Sequence, residues 1–243
     1  MRTLCAPALC ALALPAAAPA AQHVAIGARF SPYRLGASAA MTLSMRVSTL
    51  GGALPSPLRS IDMSYPSDLG IATSGLGVAS CTEAALEEHG PAGCPPNSIM
   101  GRGTAVARFR IGPEVFGESA AVGIVAGPSP DGRLHLLISA TGLAPVAARI
   151  VMASTLLGGH FAIAVPLVPS LPGGEAVSVI AVRATLGSNL RYTERRHGRT
   201  VRYTPKGILL PRRCPRGGFR FAGRFAFQDG SSARGQTTIA CPR

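Results

Sequence analysis

A chain of 243 residues is long enough to bury a full core in one domain, and its 29 Gly and 21 Pro suit short strands and tight turns better than helices. No run beyond residue 21 holds 18 uncharged apolar residues, which excludes a membrane-spanning helix in that part. The formal net charge of +13 points to anionic partners, while four Tyr and no Trp supply a sugar-stacking cleft poorly.

In chain order, Met1-Arg2-Thr3 reads as a positive n-region, Leu4 to Leu14 as an apolar h-region and Ala18-Pro19-Ala20 as an A-x-A cleavage site. The expectation is a secretory signal over residues 1–20 and a mature domain over 21–243. That domain is then secreted, periplasmic or part of the cell envelope, with no transmembrane segment. Loss of the signal removes Cys5 and Cys10 and leaves Cys81, Cys94, Cys214 and Cys241. An even count in an exported chain reads as two disulfides, with three connectivities open. Local pairing, Cys81–Cys94 and Cys214–Cys241, is favoured because each pair brackets a compact unit. A zinc site is the sharper alternative, but there is no C-x-x-C and no histidine at ligand spacing. No metal or other cofactor is expected.

Period-2 alternation dominates the rest. Val24, Ile26, Ala28 and Phe30 share one face; Met41, Leu43, Met45 and Val47 repeat the pattern. So do Ile61, Met63 and Tyr65; Ala105, Ala107, Phe109 and Ile111; Leu134, Leu136 and Ile138; Val146, Ala148, Ile150 and Met152; and Phe161, Ile163, Val165 and Leu167. Val177 to Leu186 is almost continuously apolar and reads as a central strand covered on both faces. About twelve to fourteen strands result, the spacing of a sandwich or jelly roll. One helix interrupts them: Ser80 and Glu83 make a capping box, Ala84 to Glu88 form the body and Gly90 stops it. Leu50 to Pro57 and Val168 to Glu175 resemble linkers, and the second can also divide two smaller β units.

Leu190 and Tyr192 against Val201 and Tyr203 predict a hairpin closed by Arg195-Arg196-His197-Gly198, with Glu194 facing Arg199. The last hairpin is the clearest. Phe219, Phe221, Phe225 and Phe227, four of the eight phenylalanines, alternate with Arg220 and Arg224, and the chain returns through Thr237, Ile239 and Cys241. An odd-length loop around Asp229-Gly230 keeps both apolar sets on one face; the register expected sets Phe221 opposite Ile239 and Phe219 opposite Cys241. The fold class that follows is all-β: an antiparallel β-sandwich, jelly-roll or Ig-like, with one short disulfide-stapled helix.

Chemistry is sparse. G-x-S-x-G, H-E-x-x-H, an EF-hand loop and a P-loop are all absent. His135 and His160 fall on the polar sides of their strands and read as solvated; His89 ends the helix and His197 sits in a turn. Glu114 and Glu118 flank an expected strand start, and Asp62 and Asp68 flank a loop. These patterns favour a non-catalytic protein. Charge is more informative: from Arg183 to Arg224 eleven arginines and Lys206 face a single acid, Glu194. Arg191, Arg202, Arg220 and Arg224 are the candidates for a basic face. One reading makes it a binding site for anionic envelope polymer or polysaccharide; the other makes it a solvated product of arginine-rich coding. Nucleic acid is not expected, since the chain reads as exported and carries no binding motif.

Cys81-(twelve residues)-Cys94-Pro95 with Gly101-Arg102-Gly103, and Cys214-Pro215-Arg216-Gly217-Gly218-Phe219 running to Cys241-Pro242, together with the leader, resemble a group of exported, Arg- and Ala-rich actinobacterial proteins. The resemblance rests on cysteine and turn motifs, so it implies export and fold and assigns no activity and no functional residue. The function expected is an exported, non-catalytic module of the envelope or extracellular space that binds anionic polymer through arginine. A secreted hydrolase and a structural or adhesive surface subunit are the alternatives.

Overall fold

The computed structural model describes residues 21–72, 79–142, 147–168, 176–187, 191–204 and 207–242. The expected leader, Cys5, Cys10, Val146, Leu190 and most of the 168–175 stretch lie outside them. Fifteen strands occur among the described residues: β1 (Gln22–Ser31), β2 (Ser38–Thr49), β3 (Leu58–Ser64), β4 (Gly70–Ala72), β5 (Ile99–Ile111), β6 (Glu114–Ala126), β7 (His135–Gly142), β8 (Arg149–Leu157), β9 (His160–Ala164), β10 (Ser178–Leu186), β11 (Tyr192–Arg196), β12 (Arg199–Tyr203), β13 (Gly207–Leu209), β14 (Phe219–Phe227) and β15 (Ser232–Ile239). The all-β antiparallel class is therefore the one the alternation implies.

Thirteen of these strands form one sheet in the order β15-β14-β3-β9-β8-β7-β6-β5-β10-β2-β13-β4, with β1 added to β2, and every pairing is antiparallel. The two layers of the expected sandwich come from this one sheet curling into a half-barrel. Its ends meet where β1 crosses the inner face of β15. Gly235 makes that approach close: a Cβ there would sit 2.9 Å from the Val24 carbonyl oxygen and 3.2 Å from Ile26 Cγ2. Val24 packs beside Phe225, Phe227 and Ala233, so the seam is closed by apolar contact. β11 and β12 form a separate two-stranded ribbon.

The four phenylalanines of β14 are all turned inward, each with 1% or less of its surface exposed. They anchor two packed ends. Phe219 and Phe221 join Phe30, whose ring meets Phe219 edge-on at 5.3 Å. Phe225 and Phe227 join Val24, Val47 and Leu58. Burying such a ring contributes about 1.5–3 kcal/mol. The hairpin register differs from the expected one by two residues: Phe219 lies opposite Ile239 and Phe221 opposite Thr237. The turn is centred on Asp229, whose Oδ1 accepts from the Ser231 N–H at 2.9 Å, and Gly230 takes the left-handed conformation at φ 82°. A three-residue loop with glycine in that position sets the shorter pairing.

Both disulfides pair locally. Cys214–Cys241 has a Cα separation of 5.9 Å and Cys81–Cys94 one of 5.2 Å. The first clips the open end of the last hairpin. Converting Cys214 and Cys241 to serine should cost about 3.5 kcal/mol, the loop-closure value for a bridge spanning 27 residues. The urea midpoint reads it, and a variant that unfolds with the wild type would show that the strands hold without the clip.

The stapled helix α1 (Glu83–His89) starts two positions later than a Ser80 cap implies: Thr82 is the N-cap, its Oγ1 accepting from the Ala85 N–H at 3.2 Å. An N-cap oxygen accepts from the amide two or three residues on, and Thr82 stands directly before the first helical turn as Ser80 does not. Gly90 ends the helix at φ 66°. Leu86 is fully buried against Val125 and Leu137, outward-facing residues of β6 and β7. Arg149 completes the helix end by donating to the carbonyls of Glu87 and Glu88 at 2.7 and 2.8 Å.

Two further expectations change. β10 is central by pairing, between β2 and β5, but is half-buried and carries exposed Arg183. In the β11–β12 ribbon Arg196 pairs with Arg199 and Glu194 with Val201, not with Arg199. His197 and Gly198 both take positive φ, 46° and 76°, and so make a two-residue turn in place of the four-residue one.

Candidate functional site

The arginines fall into two groups. Arg220 and Arg224 project from the outer face of β14, where Arg234 and Gln236 of β15 and Asp62 and Ser64 of β3 line the same shallow groove. Arg220 donates to Gln236 Oε1 at 2.9 Å. Arg224 stands directly opposite Arg234 on one side and Asp62 on the other. Arg191 precedes β11 and Arg202 lies in β12; both are exposed on the separate ribbon, outside that sheet. Arg234 was readable as the polar residue between Ala233 and Gly235, but only the register shows that it faces Arg224.

Two histidines are more than solvated surface groups. His160 Nε2 lies 2.7 Å from Asp62 Oδ1, because β9 places it one row from Asp62 across the β3 ladder. His135 Nε2 lies 2.8 Å from Asp131 Oδ1, and its Nδ1 lies 3.1 Å from Thr155 Oγ1 on the neighbouring strand. The His135 hydrogen bond, helped by the Arg133 N–H, holds the Asp131 carboxyl below its ordinary value. A hydroxyl, an imidazole and a carboxylate in line are the parts of a nucleophilic triad. Neither the interior cavity nor the arginine groove reaches Thr155 or His135.

A second concave feature is inside. Residues from all thirteen strands of the sheet line a cavity of about 240 Å³. Barrels wider than about eight strands leave an interior that side chains do not fill. Here the wall is built from mid-sized side chains such as Leu43, Ile61 and Ile138, together with Met41, Met45, Met63 and Met152. Ile26, Leu43, Met45, Ile61, Ile138 and Met152 point inward yet are only half-buried, since their tips look onto open space. Phe221 and Phe225 are both on the wall, so the cavity lies between the two packed ends. Between them Gly223 leaves room that Met63 Sδ and the Phe225 ring occupy.

No charged residue and no histidine lines this cavity. Tyr65 sits on its wall with its ring 6.2 Å from that of Phe161. Burial pushes the Tyr65 phenol above its ordinary value, against the opposing pull of the Gly159 backbone, so the group is neutral. Ser44, Thr237 and Ser154 are the other polar side chains on the wall, and Ser154 is the most buried of them. It faces inward from β8 opposite Leu136, is 4% exposed, and its hydroxyl has no hydrogen-bond partner.

Alternation identified the inward residues but not the width between walls. The available signal was methionine: four of the six in the chain fall at inward strand positions, where a flexible thioether suits an adaptable binding surface. The two disulfides are of the kind that persists in oxidising compartments. No helix among the described residues is long and apolar enough to cross a membrane. Comparison with protein-family models, with curated proteins and with solved structures finds no match for this chain.

Proposed function

We propose that this chain is an exported, non-catalytic binding protein whose half-barrel encloses a small apolar molecule. The cavity supports this reading: about 240 Å³ of space, walled by apolar side chains and free of charge. Apolar cavities of this order stay dry and take up apolar guests. The expected leader and the two disulfides support export. Methyl-labelled methionine gives a direct test. On titration with n-octane the Met41, Met45, Met63 and Met152 methyl signals should shift while that of Met100, buried outside the cavity wall, stays in place. A spectrum unchanged at saturating octane removes the reading.

The groove on the outer face favours a second role for the same protein, docking to anionic polymer. Arg224 and Arg234 are like charges directly across a strand pair, an arrangement that destabilises a sheet unless something anionic lies over it. Reversing both to glutamate should abolish salt-sensitive retention on an acidic polysaccharide such as polygalacturonate. Retention that survives the reversal, or that depends on Arg191 and Arg202 instead, excludes the groove.

A further inference from the structure

The groove on the outer face holds a carboxylate as well as cations, and attraction of negative charge alone gives no role to a carboxylate. Across the sheet, Arg234, Arg224 and Asp62 form one row, and Gln236, Ala222 and Ser64 form the next. Arg220 takes the following outward position on β14. All six polar side chains of this set are exposed. Neither Arg224 nor Arg234 has an ion pair or a side-chain hydrogen bond among the described residues, although Asp62 is the cross-strand neighbour of Arg224. The Asp62 carboxylate turns to β9 instead, where Oδ1 accepts from His160 Nε2 at 2.7 Å. Its other oxygen, Oδ2, is left open on a side chain that is 59% exposed.

Internal bonds also set what the remaining groups present. Gln236 Oε1 accepts from Arg220 Nη2 at 2.9 Å, so the amide offers its N–H donors. The Ser64 hydroxyl donates to the Ala222 carbonyl at 3.3 Å, so its oxygen offers lone pairs. Ala222 lies between these two and makes a low floor. No aromatic ring lines the groove, so a ligand there is held by charge and hydrogen bonds and not by stacking.

Free cations, acceptors and a donor on one surface select the ligand. A polyphosphate offers acceptors only: it matches the arginines but is repelled at close range by Asp62. A neutral sugar donates its hydroxyls to Asp62 and leaves the guanidinium groups unused. An acidic sugar satisfies both. Its carboxylate fits a guanidinium fork with two parallel hydrogen bonds. Its hydroxyls can donate to Asp62 Oδ2 and Ser64 Oγ and accept from Gln236 Nε2.

Resting on the reading of the groove as a docking site for anionic polymer, we propose that it recognises a uronate sugar unit. The sugar carboxylate lies on Arg224 and Arg234, and the ring hydroxyls lie on Asp62. Asp62 is then the residue that sets specificity, favouring anions that also carry hydroxyl groups.

The test measures binding of polygalacturonate and of polyphosphate to the full chain, at matched charge and one ionic strength. Wild type is compared with Asp62→Ala and with the double variant Arg224→Glu, Arg234→Glu. Asp62→Ala should bind polygalacturonate about 3- to 10-fold more weakly, the loss of a charge-assisted hydrogen bond less the repulsion removed with it. The same variant should bind polyphosphate about 2- to 5-fold more tightly, since an exposed like charge has gone. Improved polyphosphate binding also shows that the variant is folded. Any other pair of signs overturns the uronate assignment: tighter binding of both polymers leaves a general anion site, and weaker binding of both makes Asp62 a support of the groove. Polygalacturonate binding that the double variant does not reduce would overturn both the assignment and the groove reading beneath it.

Discussion

Replacing Phe219 with alanine is expected to destabilise the protein by about 3–5 kcal/mol, a large part of the ~5–15 kcal/mol that holds a typical domain together. The ring has no exposed surface and is enclosed by Phe30, at 5.3 Å, and Tyr33, at 6.2 Å. The Tyr33 hydroxyl donates to the Ala240 carbonyl, which ties this aromatic group to the end of β15. The surroundings are therefore fixed and cannot collapse onto the space left behind. Phe225 is a useful contrast, because its ring, although only 1% exposed, borders the cavity, where neighbouring side chains have room to relax. Phe225→Ala should therefore leave a space that is partly refilled and fall at or below the low end of the same range, ~3 kcal/mol. Urea unfolding of the two variants gives the comparison. Equal losses would mean that the neighbours of Phe225 cannot relax and that the hollow beside it is absent.

A second large effect is expected at the seam. Gly235 lets β15 approach the β1 backbone closely: a Cβ added there would lie 2.9 Å from the Val24 carbonyl oxygen and 3.5 Å from the Phe225 ring. A main-chain oxygen cannot rotate away as a side chain can, so Gly235→Val must lift β1 from β15. Overpacking of this kind costs about 1–3 kcal/mol. The β1–β2 pairing, ten residues long, should survive, because it does not depend on β15. Amide exchange should therefore accelerate in β14 and β15 more than in β2, and octane affinity should fall as the seam opens. Unaltered stability together with unaltered exchange would show that β1 does not close the half-barrel.

Much of the fold was legible because strand periodicity is a local property. The Phe-Arg alternation from Phe219 to Phe227 identified both the buried face and the polar face, and the cysteine spacing identified both disulfides. Local signals failed where one residue decides between neighbouring geometries. Gly230 moved the last hairpin by two positions, Thr82 displaced Ser80 as the cap, and His197 accepted a positive φ that shortened the ribbon turn. The site was harder to read. Whether thirteen strands press together or stand apart depends on curvature, and curvature is set by long-range pairings such as β3 between β14 and β9. The same distance hid the histidine partners: Asp62 and His160 are 98 residues apart in the chain. Arg191, Arg202, Arg220 and Arg224 formed one cluster in sequence, and the topology divides them between two sheets.

The hollow interior is the claim from which the container, its guest and the effect of Phe225→Ala all follow. Xenon pressurisation of crystals tests it without any assumption about the natural guest, because xenon enters apolar space and reveals it by electron density. The expected result is a xenon peak inside the half-barrel, within contact of Met63, Ile138 and Met152. An interior filled by collapsed side chains or by a hydrogen-bonded file of water, with no xenon, would contradict it.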